Sequence, residues 1–573
     1  MKSKKNKGKG ARAKPDAQNV LLIIVDDLRA DIGSYRGDTM EFIRTPHLDR
    51  FASRSVQFNH AYSQIALCGP SRASLLTGLR PSTLKYWAHG VPSVDRSVFA
   101  HRTNIPKWFR KHGYQTYGVG KVFHSPKMSR KHFDNFEGHP LELADKNCGQ
   151  GFGKGSAVCV VPDGHRVVDQ DIADTAVRWL HDLATQKPTH RKPFFVAVGF
   201  RRPHLRWRVP QRYWSLYSNK NIPVAKFKAP SDNVPPEAHN VCPLLTDFED
   251  VENASTNYSA APFPNPLAQK LRQGYWSAVS MVDAQVGKVV QALDQLTNLS
   301  NNTIVVITSD HGWQLGEHGS WCKSSNYELS TQVPLWIRDP ARGMVGKHVN
   351  TVVELIDIFP TLADLSRATD TTDVSSVSHL DGESVASLIS GNESPQRLAF
   401  SEFPRCFPKF LTCARRKSRD FRTMGYTVRT KDWRYTEWRE WDGIQDDADW
   451  TAKGLVGSEL YEHNASLKHV SPDDTENYNV FCDNPLVVEA LSDILKLQFS
   501  MYTQPTSKPQ QSQQATAHSI LGLSALGIAF IITALAMRTL KFRRALMYRR
   551  VPTTVCESTA TFHTIESVPC LVK

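Results

Sequence analysis

Four stretches of the chain are almost wholly apolar and rich in β-branched residues: 19–27 (NVLLIIVDD), 116–122 (TYGVGKV), 194–200 (FFVAVGF) and 303–310 (TIVVITSD). Runs of this length without polar alternation predict strands buried on both faces, the habit of an α/β sheet. Between them, 171–185 and 267–296 read as helical patterns, which predicts helices on both faces of that sheet. Polar residues collect where the runs stop: Asp26 and Asp27, Lys121 with His124, His204 just beyond, and Asp310 with His311. Open α/β sheets bind ligands at the carboxyl ends of their strands. Distant parts of the chain are therefore expected to deliver acids, bases and cations to one edge.

From about residue 396 the pattern changes to short aromatic-rich runs at 400–403, 426–429 and 433–438, a further element at 459–461, and an apolar helical run at 485–498. These predict a smaller α+β subdomain with antiparallel strands. Residues 519–537 (SILGLSALGIAFIITALAM) carry no charge; as a helix they span roughly 28 Å, close to a bilayer core. Lys541, Arg543, Arg544, Arg549 and Arg550 follow, which places the tail in the cytosol and the body in a lumen or outside the cell. The expected organisation is a basic tail (1–17), a catalytic domain (18–395), the α+β subdomain (396–500), a polar stalk (501–518), one transmembrane helix (519–537) and a basic cytosolic tail (538–573). The basic amino-terminal region has no separate apolar segment of the kind a signal peptide carries, because VLLIIV runs straight into Asp26 and Asp27.

Charge and cysteine usage refine this picture. Residues 1–14 contribute +7 and residues 538–573 contribute +5 to the formal +14. The body is thus near neutral, and nucleic acid is not an expected partner. Asn-x-Ser/Thr triplets begin at Asn253, Asn257, Asn298, Asn301, Asn392 and Asn464, in keeping with a secretory route. Cys148 with Cys159, and Cys406 with Cys413, are spaced for short-loop disulfides. Cys242, Cys322 and Cys482 read as buried free thiols.

Adjacent carboxylates at a strand end repel unless a cation lies between them. Asp26, Asp27, Asp310 and His311 therefore suggest a hard divalent ion, Ca²⁺ or Mg²⁺. Lys121, His124, His204 and Lys323 share a purpose if the substrate is an anion, cancelling charge on an ester and its leaving group. Glu317 and His318 read as supporting groups. The run 68–79 (CGPSRASLLTGL) places Cys68 at the mouth of a short helix, with Pro70 suited to its first position and Gly78 to its stop. Helix N–H groups and Arg72, one turn on, then favour an anion beside Cys68.

Cys-x-Pro-Ser-Arg followed by Leu-x-Thr-Gly resembles the signature of the type I sulfatases. So do LLIIVDDLR, GVGKVFH, VGFRRPHLRW, TSDHGWQLGEHGSWCKSSN and MGYTVRTKDWRYTEW, in this order from about residue 18 to 480. The resemblance implies an alkaline-phosphatase-like sulfatase fold, a large mixed sheet between helices. It also implies that Cys68 is converted to formylglycine by a formylglycine-generating enzyme and oriented by Arg72. Asp26, Asp27, Cys68, Asp310 and His311 would hold Ca²⁺, with Mg²⁺ the alternative. Lys121, His124, His204 and Lys323 would hold the sulfate and its sugar. The implied substrate is the 2-O-sulfate of iduronate-type residues in heparan or dermatan sulfate. Ser324 departs from the pattern, standing where this branch of the family carries a tyrosine. A phosphoester hydrolase on the same fold, and a non-enzymatic glycan-binding ectodomain, are the competing readings.

Overall fold

The computed structural model describes residues 14 and 16–500 with interruptions, the longer of them at 37–42, 90–97, 253–261, 369–376, 407–412 and 464–474. All four buried runs form strands: Asn19–Val25, Gln115–Gly120, Phe194–Phe200 and Thr303–Ser309. Three of them stop a residue or two before the apolar run ends, because the chain leaves the sheet where its polar groups begin. The four are mutually parallel, with Val25 level with Ser309 and Phe200, and Gly120 level with Gly199. Asp26, Lys121, Arg201 and Asp310 therefore emerge side by side on one edge.

Gln332–Arg338 adds antiparallel to Thr303–Ser309, Val56–Tyr62 adds antiparallel to that, and Lys347–Val349 runs parallel to Val56–Tyr62. The result is a mixed nine-stranded sheet. Side-chain alternation along Asn19–Val25 sends Leu21, Ile23 and Val25 to one face and Val20, Leu22 and Ile24 to the other, all fully buried. The first set packs in one core with helices Val168–Ala184 and Asn265–Gln295. The second shares a core with Leu75 and Leu76 of Cys68–Thr77 and Leu362 of Ile358–Leu365. Each such side chain contributes about 1.5–3 kcal/mol by leaving water, so the sheet is the rigid part of the molecule.

A second, antiparallel sheet contains Ala399–Arg405, Thr423–Arg429, Trp433–Asp442, Asp447–Ala448 and Leu455–Glu462. Helix Pro485–Ser500 packs on it. Its apolar core takes in Ile65, Leu67 and Trp87, residues that flank the Cys68 helix on both sides. The second sheet thus braces the segment that carries the candidate nucleophile.

Disulfides join Cys148 to Cys159 and Cys406 to Cys413, as the spacing suggests. Cys322 and Cys482 are also disulfide-bonded, correcting their reading as free thiols; Cys242 lies outside the described residues. Of the glycosylation triplets, Asn298, Asn301 and Asn392 are exposed.

The expected single-pass membrane placement is corrected. Among the described residues no helix is long and apolar enough to cross a membrane. The longest, Asn265–Gln295, is interrupted by Lys270, Arg272, Asp283, Lys288 and Asp294, and each charge at bilayer depth is costly. The run 519–537, on which the placement rested, lies outside the described residues.

Candidate active site

The helix Cys68–Thr77 starts two residues earlier than Pro70 suggests, so Cys68 itself opens its first turn. Pro70 is still tolerated there, since the first N–H groups of a helix have no partner within it. Gly78 ends the helix in the left-handed region (φ 67°), and its N–H donates to the Ser74 carbonyl. The Cys68 thiol is buried, and among the described residues it is the free cysteine. Burial pushes it above its ordinary pKa, and the Asp26 charge adds to that.

Around Cys68 Sγ the sheet edge gathers polar atoms from three other segments. Lys323 Nζ is 2.9 Å away, His311 Nε2 3.4 Å and Asp27 Oδ1 3.8 Å. Asp26, Asp27, Cys68 and His311 each offer an atom within 4.8 Å of the others. His311 Nδ1 faces the Gly312 carbonyl at 2.9 Å. It must therefore carry the proton, which leaves the lone pair on Nε2 aimed at the cluster, the tautomer a metal requires. Asp27 Oδ2 is buried with no hydrogen-bond partner, an orphaned acceptor of the kind a hard cation satisfies. Burial pushes the Asp27 carboxyl up to about 8 in spite of Lys323, so this group lacks positive charge for full ionisation. These observations fit a divalent ion. Asp310 stands differently: Oδ1 accepts the N–H groups of Asp27 and His311, and Oδ2 accepts from Arg72.

Arg72 does not reach for an external anion, as the sequence suggests. Its guanidinium is fully buried, with Nε to Asp310 Oδ2 at 2.8 Å, Nη2 to Asp26 Oδ1 at 3.0 Å, and Nη1 to the carbonyls of Lys121 and Val122. It is a strut between three strand ends. Burial raises the proton affinity of Asp26, but Lys121 and Arg72 outweigh it and hold this carboxyl well below the usual range. Lys121 donates to Asp26, and Lys323 donates to Asp27 at 2.6 Å. Asp26, Asp27 and Asp310 thus each meet at least one of Arg72, Lys121 and Lys323 in a buried site, where a charge needs a partner of opposite sign.

His124 and His204 line the more open side. Burial holds both imidazoles well below their ordinary pKa, joined by His89 and Lys121 for His124 and by Lys121 and Lys323 for His204. His204 Nδ1 contacts the Leu205 carbonyl at 2.6 Å, so Nε2 is its basic nitrogen.

The structure brings all the sequence-predicted site residues into this neighbourhood and adds others. His89 stacks edge-on to His124 with ring centroids 4.4 Å apart, and its buried Nδ1 has no hydrogen-bond partner; no motif marks it. Trp313 lies under Lys323 Nζ at 5.4 Å. Tyr275, from the long helix, donates to the Asp27 carbonyl at 2.8 Å and helps hold Asp27 in a left-handed conformation (φ 63°), where a non-glycine residue is uncommon. Glu317 accepts from Arg29 at 3.0 Å and Arg272 at 2.9 Å, the supporting part the sequence suggests. Ser324 is left-handed too (φ 75°) and accepts from Arg405 at 2.9 Å.

Comparison with known proteins agrees with this geometry. The family model described as Sulfatase matches residues 18–368. The iduronate 2-sulfatase of Mus musculus is 34% identical over 527 residues, covering 82% of this chain and 92% of the relative. Among solved structures, a phosphonate monoester hydrolase from Silicibacter pomeroyi superposes with a TM-score of 0.62 at 22% identity, covering 83% of this chain and 94% of its own. A 2-O GAG sulfatase gives 0.61 at 20% identity, with 84% and 92% covered. These two share the fold. Match length, identity and the site residues lead to one conclusion: the chain belongs to the sulfatase family.

Proposed function

We propose that this sulfuric ester hydrolase removes the 2-O-sulfate of iduronate-type residues in glycosaminoglycans. Asp26, Asp27, Cys68, Asp310 and His311 hold a divalent ion in this reading, Ca²⁺ or alternatively Mg²⁺. A formylglycine-generating enzyme matures Cys68, residues 18–395 form the catalytic domain, and 396–500 form a subdomain beside it. The observation that carries the proposal is Cys68 Sγ lying within one cluster of Asp26, Asp27, His311 and Lys323. The identity with iduronate 2-sulfatase over nine-tenths of that protein supports the choice of sugar.

When bound, the ion supplies positive charge against the negative charge that builds on the sulfate and lowers the proton affinity of the nucleophile. Formylglycine at position 68 would supply a hydroxyl nucleophile toward sulfur and a second hydroxyl able to assist release of sulfate. The side chains do the rest. Lys323, held charged by Asp27 against the cost of burial, and Lys121 bind sulfate oxygens. Arg72 fixes Asp26 and Asp310 so that neither turns toward the incoming anion. In the free site burial and the neighbouring cations oppose protonation of His124 and His204. A sulfate between Lys121 and Lys323 offsets that positive charge, so the imidazoles gain proton affinity as substrate arrives. Either ring can then deliver a proton to the departing sugar oxygen.

The test is peptide mass spectrometry across Cys68 on protein from a secretory host, followed by rates on a sulfate and a phosphate ester of the same alcohol and on 2-O-sulfated disaccharides. A formylglycine mass, preference for sulfate, and loss of turnover in Cys68→Ala are expected. Faster phosphate cleavage would favour the phosphoester reading, and unmodified Cys68 in folded protein the glycan-binding one.

A further inference from the structure

On the edge of the sheet opposite the active site, the strands Gln115–Gly120, Asn135–Glu137 and Phe194–Phe200 begin side by side. A groove of about 900 Å³ opens there, lined by Lys107, Arg110, Lys111, Tyr114, Asp134 and Lys192 among others. The basic residues come from two places in the chain, the short helix Ile105–Lys111 and the segment leading into Phe194. Arg110, Lys111 and Lys192 are exposed and form no ion pair among the described residues. The acid of the groove, Asp134, spends one carboxylate oxygen on the N–H and hydroxyl of Thr116, both at 3.0 Å. Lys107 Nζ donates to the Phe99 carbonyl at 2.9 Å. The body of the chain is near neutral by composition, so this concentration of unpaired cations is local.

We infer that the groove is a second binding site for sulfated glycan, engaging a length of polysaccharide chain away from the sulfate being cleaved; this rests on the glycosaminoglycan reading of the active site. A single small anion would need a closed pocket with converging donors. Here an open groove of about 900 Å³ draws its cations from two separate segments, the helix Ile105–Lys111 and the residue Lys192, which suits a repeating polyanion. Gln115, on its rim, and Lys121, in the active site, lie at opposite ends of one strand, about 20 Å apart at about 3.3 Å per residue. A disaccharide cannot span that distance over the surface, whereas a long chain can occupy both. The groove therefore raises the local concentration of polymeric substrate and leaves the reaction on short substrates untouched.

The experiment compares the full chain with R110Q/K111Q/K192Q and R110E/K111E/K192E, each also carrying Cys68→Ala for binding. Affinity for a size-selected heparan sulfate chain is measured across a salt series, and turnover of a 2-O-sulfated disaccharide is measured on the forms that retain Cys68. The expected result is roughly tenfold weaker chain binding for the Gln variant, more for the Glu variant, and a shallower salt dependence. Disaccharide kcat/KM should be unchanged. Chain affinity equal to that of the parent in both variants overturns the inference, as does an equal loss on the disaccharide, since the groove would then be supporting the fold. If the parent binds chains through these residues but cleaves no 2-O-sulfate, the groove stands and the substrate reading falls. Chain binding that a duplex DNA of equal charge matches would show a general polyanion surface and would overturn the glycan assignment.

Discussion

Glu402 offers the sharpest test of how the second sheet secures the active-site segment. Its side chain is buried in strand Ala399–Arg405, where Oε1 accepts the Ser82 N–H at 2.9 Å and Oε2 accepts Trp87 Nε1–H at 2.7 Å. Both partners lie just beyond the Cys68 helix and just before His89. Burial pushes this carboxyl up from 4.5 to about 7 against the pull of those hydrogen bonds. A carboxyl raised on folding binds its proton more tightly in the folded state. Its contribution to stability is thus present in full below pH 4.5 and is lost as pH rises through about 7. At about 1.4 kcal/mol per pH unit, the gap amounts to about 3 kcal/mol between pH 4.5 and 8. The substitution Glu402→Gln removes the titration. It also costs about 1 kcal/mol at low pH, because one amide oxygen must serve two N–H donors. Denaturant unfolding of both proteins at several pH values in this range measures the difference directly. The wild type should lead E402Q at pH 4.5 and lose about 3 kcal/mol more than it does by pH 8. Parallel curves would refute the reasoning and show that Glu402 is ionised at no net cost.

Further outcomes follow from the same physics. Glu317 has the opposite sign: burial opposes its charge, but Arg29 and Arg272 outweigh this and hold it well below the usual range. Its contribution is present above its unfolded pKa and lost as pH falls, so Glu317→Gln should destabilise by about 3–5 kcal/mol at pH 7 and flatten the acid limb of an unfolding profile. Arg72→Met leaves Asp310 without a cation on Oδ2 and should cost a similar amount in thermal or denaturant unfolding; Arg72→Lys should recover only part, since one ammonium cannot span Asp26, Asp310 and two carbonyls. Chelation of divalent ions should lower the melting temperature. Ca²⁺ at a hundred times its Kd should return about 2.7 kcal/mol, and Asp27→Asn should blunt that response. His89→Phe keeps a ring against His124 but removes a nitrogen from the site; it should change kcat/KM with little change in melting temperature.

Much of the architecture was legible because buried parallel strands have a composition of their own. Residues 20–25 and 304–307 carry no polar side chain, a composition suited to burial on both faces. The same logic located the site, since polar residues at the ends of such runs have nowhere to go but the sheet edge. Harder to read were contacts whose partners are remote in sequence. Arg72 looked like an anion binder from its place on the helix, and only the approach of Asp26 and Asp310 turns it into a strut. His89 belongs to no motif and reaches the site because its segment folds back on His124. Cys322 and Cys482 are far from any close-spaced cysteine and gave no local sign of being bonded.

The sequence by itself determined the strands, the family signature around Cys68 and the kinds of chemical group available at the sheet edge. These follow from local composition and spacing, which need no knowledge of what lies opposite. Tertiary structure alone decided which charge balances which, the tautomers of His204 and His311, the orphaned oxygen of Asp27, and the separation of a basic groove from the catalytic edge. Each of these depends on distances between segments tens to hundreds of residues apart. Electrostatic energies in a buried site vary steeply with those distances, so their balance appears only once the chain has closed on itself.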